Sequence, residues 1–363
     1  MTGAASRFAR AGMQSLPLYA PDAVACAIDL SDNTNLWGAP PAALRALGEL
    51  PAAALSRYPT LYSEPLRDAL LNYSGAASIA YAGVVTGCGS DDVLDSTMRA
   101  FGAPGDAVAF CAPTFSMIPV LARLNGLVPT PLPFTDTFDI DADQLVECGA
   151  KITYICAPNN PTATAVSRDA VRYVVANARG IVLIDEAYAE FAPDVFVDLL
   201  ATSEHLVIAR TFSKAFGLAG LRVGYAVGTN DMVRLIERAR GPYKVSSLAE
   251  RAVLAALGDD DGGVRWVHQH AGLAIANRAR LCAELVGAGF TPIPSAANFV
   301  MVPAQNAAAI QLALAARGIL VRAFGGMRGD TPALAASGGA ALRIGVGPWD
   351  MMTSLLDALR EVA

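Results

Sequence analysis

The sequence is poor in lysine and histidine and has no closely paired cysteines. Of its 27 basic residues only three are lysines, and the other 24 are arginines. It has three histidines, and its six cysteines are scattered without a C-x-x-C pair, so neither a zinc site nor a disulfide framework is supported. We therefore expect reduced thiols and no bound metal. A lysine that stands among hydroxyls and glycines calls for a chemical reason.

The chain also has no net positive charge and no long apolar run. The formal net charge is −6 and the pI is about 5.1, whereas binding to nucleic acid needs clustered positive charge that neutralises phosphates. No segment offers the roughly 18 uninterrupted apolar residues of a membrane span, and no apolar stretch follows the N-terminal arginines as in a secretion signal. We expect a cytoplasmic protein with a small-molecule partner, bound neither to nucleic acid nor to a membrane.

Short apolar runs alternate with helix-length segments from about residue 84 to residue 228. The apolar runs are typical of strands buried on both faces, and the segments between them are typical of helices. This alternation predicts an α/β fold with a mostly parallel central sheet flanked by helices. The predicted strands are 107–111, 152–156, 181–184 and 206–209, and the predicted helices are 92–101, 116–125 and 167–178.

The pattern changes after Pro242 to that of a smaller α+β domain. A long helical stretch over about 247–286 is followed by short apolar strands and by a final helix from Asp350. The segment before residue 50 is rich in proline and alanine, and we expect it to pack on this smaller domain or on a partner subunit. The predicted division is an N-terminal segment 1–50, a large domain 51–245 and a small C-terminal domain 246–363.

Polar motifs follow the apolar runs, where a parallel sheet binds its ligands. The G-C-G-S-D-D sequence at 87–92 opens a helix whose first N–H groups can bind an anion, although a simple helix cap by Ser90 or Asp91 explains the same residues. After the strand at 152–156, a proline-locked turn presents Asn160. Asp185 follows the strand at 181–184, where a carboxylate can cap a helix or hold a protonated ring nitrogen.

Lys214 lies in the T-F-S-K sequence at 211–214, eight residues before Arg222. Unlike arginine, a desolvated lysine can lose its proton and attack a carbonyl group. Two hydroxyls, an amine and a guanidinium are what a phosphorylated aldehyde cofactor requires. A solvated surface lysine is the alternative, but the surroundings of Lys214 are rich in glycine and almost uncharged.

The ordered motifs G-x-D-[DE], P-N-N-P-T, D-E-A-Y, [ST]-x-S-K and R-x-G-[YF] resemble those of fold-type-I, class I/II pyridoxal-phosphate aminotransferases, in particular the histidinol-phosphate group. The resemblance spans nearly the whole chain. It implies a ping-pong transaminase in which Lys214 forms a Schiff base with pyridoxal phosphate, and the amino group passes through pyridoxamine phosphate to a 2-oxo acid. The freed lysine amine would then be the general base.

The resemblance also implies roles for other residues around the cofactor. Asp185 would pair with the ring nitrogen, Tyr188 and Asn160 would bind the ring hydroxyl, and Phe115 would stack on the ring. A homodimer is implied, in which Tyr58 reaches the phosphate group bound by the other subunit. The residues implied around the phosphate within one chain are Ser90, Asp91, Thr211, Ser213 and Arg222.

Substrate residues are implied less sharply. Arg343 matches the arginine that binds the anionic group of the substrate, and Arg322 matches a second arginine that binds its phosphate, although a solvated strand-end charge is an alternative for Arg322. Tyr19 and Asn35 match N-terminal residues of the family near the substrate. The stretch 33–38 departs from the family pattern through Thr34, Leu36 and Trp37.

The first hypothesis is therefore a transaminase of histidine biosynthesis that uses histidinol phosphate and 2-oxoglutarate. An aromatic or other amino acid transaminase on the same scaffold is the close alternative. A lyase resembling threonine-phosphate decarboxylase, and a regulator that binds the cofactor without catalysis, are further alternatives. No basic DNA-binding segment was found before residue 20, which disfavours the regulator.

Overall fold

The structure, a computed structural model, describes residues 8–10, 12–16, 18, 25–258, 262–327 and 331–362. The strands are β1 (Ile28–Asp29), β2 (Ala82–Cys88), β3 (Ala107–Ala112), β4 (Val128–Pro133), β5 (Ile152–Cys156), β6 (Ile181–Asp185), β7 (Leu206–Thr211), β8 (Val223–Thr229), β9 (Phe299–Pro303), β10 (Ile319–Leu320), β11 (Arg322–Phe324) and β12 (Ala341–Gly345). The α-helices are α1 (Pro41–Gly48), α2 (Ala53–Ser56), α3 (Glu64–Ser74), α4 (Ser90–Phe101), α5 (Met117–Leu124), α6 (Ala142–Glu147), α7 (Arg168–Asn177), α8 (Asn230–Ala239), α9 (Ser247–Ala256), α10 (Val264–Gly287), α11 (Ala307–Ala315), α12 (Pro332–Ala336) and α13 (Trp349–Val362).

The central element is a seven-stranded sheet with the strand order β2-β8-β7-β6-β5-β3-β4. Strand β8 runs antiparallel to both of its neighbours, and all the other pairs in this sheet are parallel. The strands predicted from the apolar runs are β3, β5, β6 and β7, which lie side by side in the sheet. The predicted α/β fold with a mostly parallel sheet is confirmed.

Helices cover both faces of this sheet, which explains why its middle strands are apolar without interruption. Along β6, Val182 and Ile184 pack in the core on one face, and Leu183 packs in the core on the other. Helix α10 contributes Ala271 to the first core, and helix α4 contributes Leu94 to the second. Because burial of an aliphatic side chain the size of leucine stabilises the fold by about 1.5–3 kcal/mol, these contacts hold the helices on the sheet.

A second, antiparallel sheet with the order β11-β12-β9 lies in the C-terminal part of the chain. Leu342 and Ile344 of β12 pack with Leu355 of α13 in one core, which also contains Leu30. Strand β1 pairs in parallel with β10, so the N-terminal segment contributes both a strand and a core residue to this region. The domain boundaries near residues 50 and 245 stay a prediction.

The prediction of one long helix over about 247–286 is wrong, because the structure has two helices in this range. Helix α9 ends at Ala256 and α10 begins at Val264, with Gly258, Gly262 and Gly263 between them. Glycine is among the residues least favourable to a helix, and the N–H of Gly258 closes the end of α9 by donating to the oxygen of Ala255. The six residues 258–263, G-D-D-D-G-G, contain no apolar side chain, so the sequence itself marks this break.

Helix α10 is 24 residues long and carries charged side chains along its length. Neither α10 nor any other helix of the described ranges is long and apolar enough to cross a membrane. A cluster of three or more potential metal-ligating side chains is likewise absent from the described part of the chain.

Candidate active site

The site lies at the carboxyl ends of β5, β6 and β7. Their parallel register pairs Cys156 with Asp185, and Asp185 with Ala209, so the three strands end at the same edge of the sheet. The loops that follow carry Asn160, Tyr188 and Lys214. The fold therefore brings together the motifs that are separate in the sequence.

Asp185 is a buried carboxylate, only 3% exposed. Its Oδ1 accepts a hydrogen bond from the N–H of Ala187 at 3.1 Å, and its Oδ2 accepts one from the hydroxyl of Tyr154 at 2.8 Å. Burial raises the pKa of the Asp185 carboxyl to about 6, and these two hydrogen bonds act in the opposite direction. The group is thus ionised at neutral pH and suited to hold a cation.

Lys214 is a partly buried lysine that faces the N-terminal segment. Its Nζ donates to the backbone oxygen of Asp32 at 3.1 Å and lies 6.0 Å from the centre of the Tyr188 ring. Burial, together with the positive charge of Arg343, lowers the pKa of the Lys214 amine to about 8. About a tenth of this amine is therefore neutral and nucleophilic at pH 7, compared with less than about a thousandth for an ordinary lysine.

The N-terminus of α4 forms an anion cradle with the end of β7. The helix begins at Ser90 after a glycine, which provides no side-chain cap for the first N–H groups. A Cβ atom at Gly89 would collide with the guanidinium of Arg222, and one at Gly224 would collide with the backbone of Ser90. Gly224 therefore needs glycine because the backbone of Ser90 approaches so closely, and Gly89 needs it because its φ of 80° is one that side-chain-bearing residues rarely adopt.

Hydroxyls and a guanidinium complete this cradle. The hydroxyl of Thr211 donates to that of Ser213 at 3.1 Å, and the guanidinium of Arg222 donates to Ser213 at 3.3 Å. The same guanidinium lies 3.5 Å from the carboxylate of Asp91. Three side chains with donor groups and a helix N-terminus therefore converge on one place, which is the chemistry that a phosphate group requires.

Tyr188 is held by a residue that the sequence reasoning did not select. The side-chain amide of Asn33 donates to the Tyr188 hydroxyl at 3.1 Å, and the ring of Tyr188 packs edge-on against Phe299. Asn33 is buried, and its backbone lies in the left-handed region with φ of 59°. Asparagine tolerates this conformation better than most residues. Asn33 begins the stretch 33–38 that was compared with the family pattern, but that comparison gave it no role.

The register between β11 and β12 places Arg322 directly opposite Arg343. Directly opposed residues on neighbouring strands point to the same face of a sheet, so the side chains of Arg322 and Arg343 lie on one face. Arg343 donates to the side-chain oxygen of Asn160 at 2.8 Å and to the backbone oxygen of Ser31 at 2.5 Å. These bonds connect Arg343 to the loop after β5 and to the N-terminal segment.

The remaining predicted residues are Phe115, Tyr58, Asn35 and Tyr19. Phe115 packs against the core on the sheet face that carries Tyr154. Tyr58 is 82% exposed and stacks on Tyr243, with ring centres 4.8 Å apart. The side chain of Asn35 donates to the oxygen of Ala215 at 2.8 Å and accepts from the N–H of Trp37 at 2.9 Å. Tyr19 lies outside the described residues.

Comparison with known proteins identifies the class. The family model "Aminotransferase class I and II" matches residues 26–359. The chain is 39% identical over 350 residues to a histidinol-phosphate aminotransferase of Roseiflexus castenholzii, covering 93% of this chain and 90% of the relative. It is 36% identical over 327 residues to an aromatic amino acid aminotransferase of Mycobacterium tuberculosis, covering 87% and 91%.

A solved structure supports the same class. The histidinol-phosphate aminotransferase of Sinorhizobium meliloti in complex with pyridoxal-5'-phosphate superposes with a TM-score of 0.82 at 25% identity, covering 96% of this chain and 95% of that one. The chain therefore belongs to the class I and II aminotransferases. It is a pyridoxal-phosphate-dependent enzyme that moves an amino group from an amino donor to a 2-oxo acid. The predicted family, reaction and cofactor are confirmed.

Proposed function

We propose that the protein is a histidinol-phosphate:2-oxoglutarate aminotransferase of histidine biosynthesis. The observation that carries the proposal is the direct opposition of Arg322 and Arg343 on β11 and β12, which gives one face of the sheet two guanidiniums. Guanidinium groups bind phosphate and carboxylate through two parallel hydrogen bonds, so this pair suits a phosphorylated donor and a dicarboxylate acceptor in turn. The R. castenholzii relative supports this substrate by its name.

The residues of the site fit pyridoxal phosphate. We propose that Lys214 binds its aldehyde carbon and that the buried carboxylate of Asp185 holds its ring nitrogen. Asn160 and Tyr188 would bind its ring hydroxyl, and Phe115 would stack on its ring. The cofactor, when bound, supplies an electron sink for the substrate carbon that loses a proton. The proposed phosphate ligands are the side chains of Thr211, Ser213 and Arg222 and the backbone N–H groups of Ser90 and Asp91.

Lys214 is also the proposed general base. With a pKa near 8, the Lys214 amine would be able to accept a proton from the substrate α-carbon and return it later. The hydrogen bond from Nζ to the backbone oxygen of Asp32 brings the amine against the N-terminal segment. Arg343, which lowers the pKa of the Lys214 amine, also keeps it ready to act as a base at neutral pH.

Tyr19 and Asn35 stay proposed substrate residues. Both hydrogen bonds of the Asn35 side chain go to the loop after Lys214 and to Trp37, so we propose that Asn35 acts by shaping the entrance of the site. Thr34 and Leu36, which depart from the family pattern, flank Asn35 in the sequence, so we propose that they affect the same entrance.

Replacing Arg322 by alanine tests the proposed substrate. We expect the Michaelis constant for histidinol phosphate to rise roughly 10- to 100-fold, because a hydrogen bond to a charged group contributes about 1.5–3 kcal/mol. The constant for phenylalanine, which has no phosphate, should change by less than about threefold. Steady-state kinetics with both donors measure this. Arg317→Ala is the control, since Arg317 pairs with Glu361 at 3.2 Å instead. An equal rise for both donors would contradict a dedicated phosphate role for Arg322.

Aromatic amino acids are a second candidate for the donor. The M. tuberculosis relative is named for them. The guanidinium of Arg343 also lies 5.5 Å from the ring centre of Phe299 and 5.6 Å from that of Phe324, so apolar rings flank the anion site. The comparison of donors with Arg322→Ala separates the two candidates.

We also propose a homodimer in which Tyr58 completes the phosphate site of the partner. Support comes from its exposed hydroxyl-bearing ring, which is stacked on Tyr243 at the surface of the single chain. Tyrosine is enriched at protein interfaces because its ring is apolar and its hydroxyl is polar, and Tyr58 is 82% exposed in the single chain.

Mixing two inactive variants tests this dimer. Lys214→Ala and Tyr58→Ala subunits, each with low activity alone, are unfolded together and refolded with the cofactor. Random pairing makes half of the dimers mixed, each with one intact site, so about a quarter of the wild-type activity should return. If Tyr58 served its own chain, the mixed dimer would have no intact site and no activity would return. As a control for refolding, each variant is unfolded and refolded with wild-type chains, and the recovered activity is measured.

A further inference from the structure

Tyr154 lies beside the catalytic centre although it belongs to the middle of a core strand. On β5 it stands two residues before Cys156, the register partner of Asp185. Side chains two residues apart share a face of a sheet, so Tyr154 and Asp185 point to the same side. The Tyr154 side chain is 1% exposed, and its hydroxyl donates to Asp185 Oδ2 at 2.8 Å.

We infer that Tyr154 is a positioning residue, whose hydroxyl fixes the Asp185 carboxylate and favours its ionised form, so that Asp185 can keep the cofactor ring nitrogen protonated. This inference rests on the proposed role of Asp185. The N–H of Ala187 occupies Oδ1 and the hydroxyl of Tyr154 occupies Oδ2. Each carboxylate oxygen can accept a second hydrogen bond, so the group remains able to bind a ring N–H.

The charges around Asp185 explain why such a donor is needed. Burial and the nearby carboxylates of Asp91 and Glu186 all raise the pKa of Asp185 and so favour its neutral form. A hydroxyl that donates to an ionised carboxylate makes a hydrogen bond roughly twice as strong as one between neutral groups. Burial also raises the pKa of Tyr154 itself, so this hydroxyl keeps its proton and acts as the donor. The titratable groups that act on Asp185 from the surrounding elements are Tyr154, Cys156, Asp91, Glu186 and Tyr188.

Tyr154 is expected to act on the proton that the cofactor ring nitrogen and the Asp185 carboxylate share. A proton shared between the two sits on the nitrogen when the carboxylate is stabilised as an anion. Removal of the Tyr154 hydroxyl destabilises that anion, so the shared proton should move from the ring nitrogen towards the carboxylate. A ring nitrogen beside a neutral carboxyl has no anionic partner, so its own protonation should require a lower pH. A role confined to packing would leave this pH unchanged, because phenylalanine fills the same space.

Tyr154→Phe tests the inference with ¹⁵N-labelled pyridoxal phosphate. The ring-nitrogen resonance is followed against pH, and the dissociation constant of the cofactor is measured on the apoenzyme. We expect the midpoint of the ring-nitrogen titration to fall by about one pH unit, equal to about a tenfold change in the protonation equilibrium, and the cofactor to bind more weakly. Tyr225→Phe is the control, because Tyr225 is equally buried and packs in the core on the opposite face of the sheet.

Asp185→Asn separates failure of the inference from failure of the proposed function. If Asp185→Asn lowers the midpoint and Tyr154→Phe does not, the inference about Tyr154 is overturned while the role of Asp185 stands. If neither variant changes it, both are overturned. In the Asp185→Asn background, Tyr154→Phe should have no further effect on the midpoint, and an equal further effect would also overturn the inference.

A fluorotyrosine at position 154 provides a second measurement if the phenylalanine variant does not fold. Its more acidic hydroxyl is a stronger donor of nearly the same size. The midpoint of the ring-nitrogen titration should then rise, and a midpoint equal to that of the wild type would overturn the inference.

Discussion

Replacing Lys214 by alanine is expected to abolish turnover and the visible absorbance of the bound cofactor. The amine is both the covalent attachment point and the proposed general base, so two functions are lost together. General base catalysis alone contributes roughly 10²- to 10⁴-fold, so a fall in kcat of at least about 10⁴-fold is expected. Absorbance spectra and steady-state rates measure the two effects.

Lys151→Ala is the matched control for this experiment. Lys151 is one of the other two lysines, is exposed, and precedes the first residue of β5 at the far end of that strand from the site. Its replacement should leave absorbance and rate unchanged. Normal turnover by the Lys214→Ala variant would contradict the mechanism proposed for this enzyme.

The pKa of Lys214 also predicts how the apoenzyme captures its cofactor. Burial lowers this pKa to about 8, so the amine is protonated and unreactive below that pH. The rate of covalent capture of pyridoxal phosphate by apoenzyme should therefore rise with pH and level off above about 8. Stopped-flow absorbance measures it, and a rate that still rises steeply at pH 10 would show an ordinary exposed lysine.

Replacing Asp185 by asparagine is expected to cause the second largest loss of activity. The amide keeps the size of the side chain and can keep a bond to Ala187 and to Tyr154, but it has no negative charge for the ring nitrogen. Loss of one partner of a buried ion pair costs about 3–5 kcal/mol, which corresponds to a few hundred- to a few thousand-fold in kcat/KM. Asp185→Glu, which restores the charge in a longer side chain, should recover part of the rate.

The same variant should be more stable than the wild type when the cofactor is removed. Burial raises the pKa of Asp185 to about 6 in the folded chain, whereas it is about 3.9 in the unfolded chain. This carboxyl therefore contributes most to stability below pH 4, where it is neutral in both states, and loses that contribution as the pH rises through 6. Above pH 6 the folded apoenzyme contains a buried charge that the asparagine variant lacks.

Urea unfolding of apoenzyme at several pH values measures this effect. At pH 8 the asparagine variant should be more stable than the wild type by about 1–3 kcal/mol, and the difference should shrink towards pH 4.5. A variant that is less active and also less stable at pH 8 would indicate that asparagine disturbs the fold, and its loss of activity would then not support the charge of Asp185.

The sequence predicted the central sheet because its strands are apolar runs that alternate with helices. It predicted most of the site because parallel strands end together, and because the motifs after them resemble a family. The break between α9 and α10 was missed although the G-D-D-D-G-G sequence at 258–263 is typical of a loop. The opposition of Arg322 and Arg343 depends on strand register, which the periodicity of either strand leaves undetermined.

Two contacts, that of Asn33 with Tyr188 and that of Tyr154 with Asp185, could not be predicted from the sequence for a different reason. Asn33 reaches Tyr188 across 155 residues of chain, and no local pattern reports such a contact. Tyr154 resembles any aromatic residue of a buried strand, and only the three-dimensional structure shows its hydroxyl beside Asp185. Asn33 and Tyr154 therefore support two residues, Tyr188 and Asp185, that the motifs had already identified.

The most direct test of the account is a half-reaction with purified enzyme carrying pyridoxal phosphate and no 2-oxo acid. Histidinol phosphate and phenylalanine are mixed with it separately, and the loss of visible cofactor absorbance is followed by stopped flow. We expect histidinol phosphate to react at least about 100-fold more efficiently, as two guanidiniums hold its phosphate. Equal efficiency for phenylalanine, or no reaction with histidinol phosphate, would contradict the proposed function.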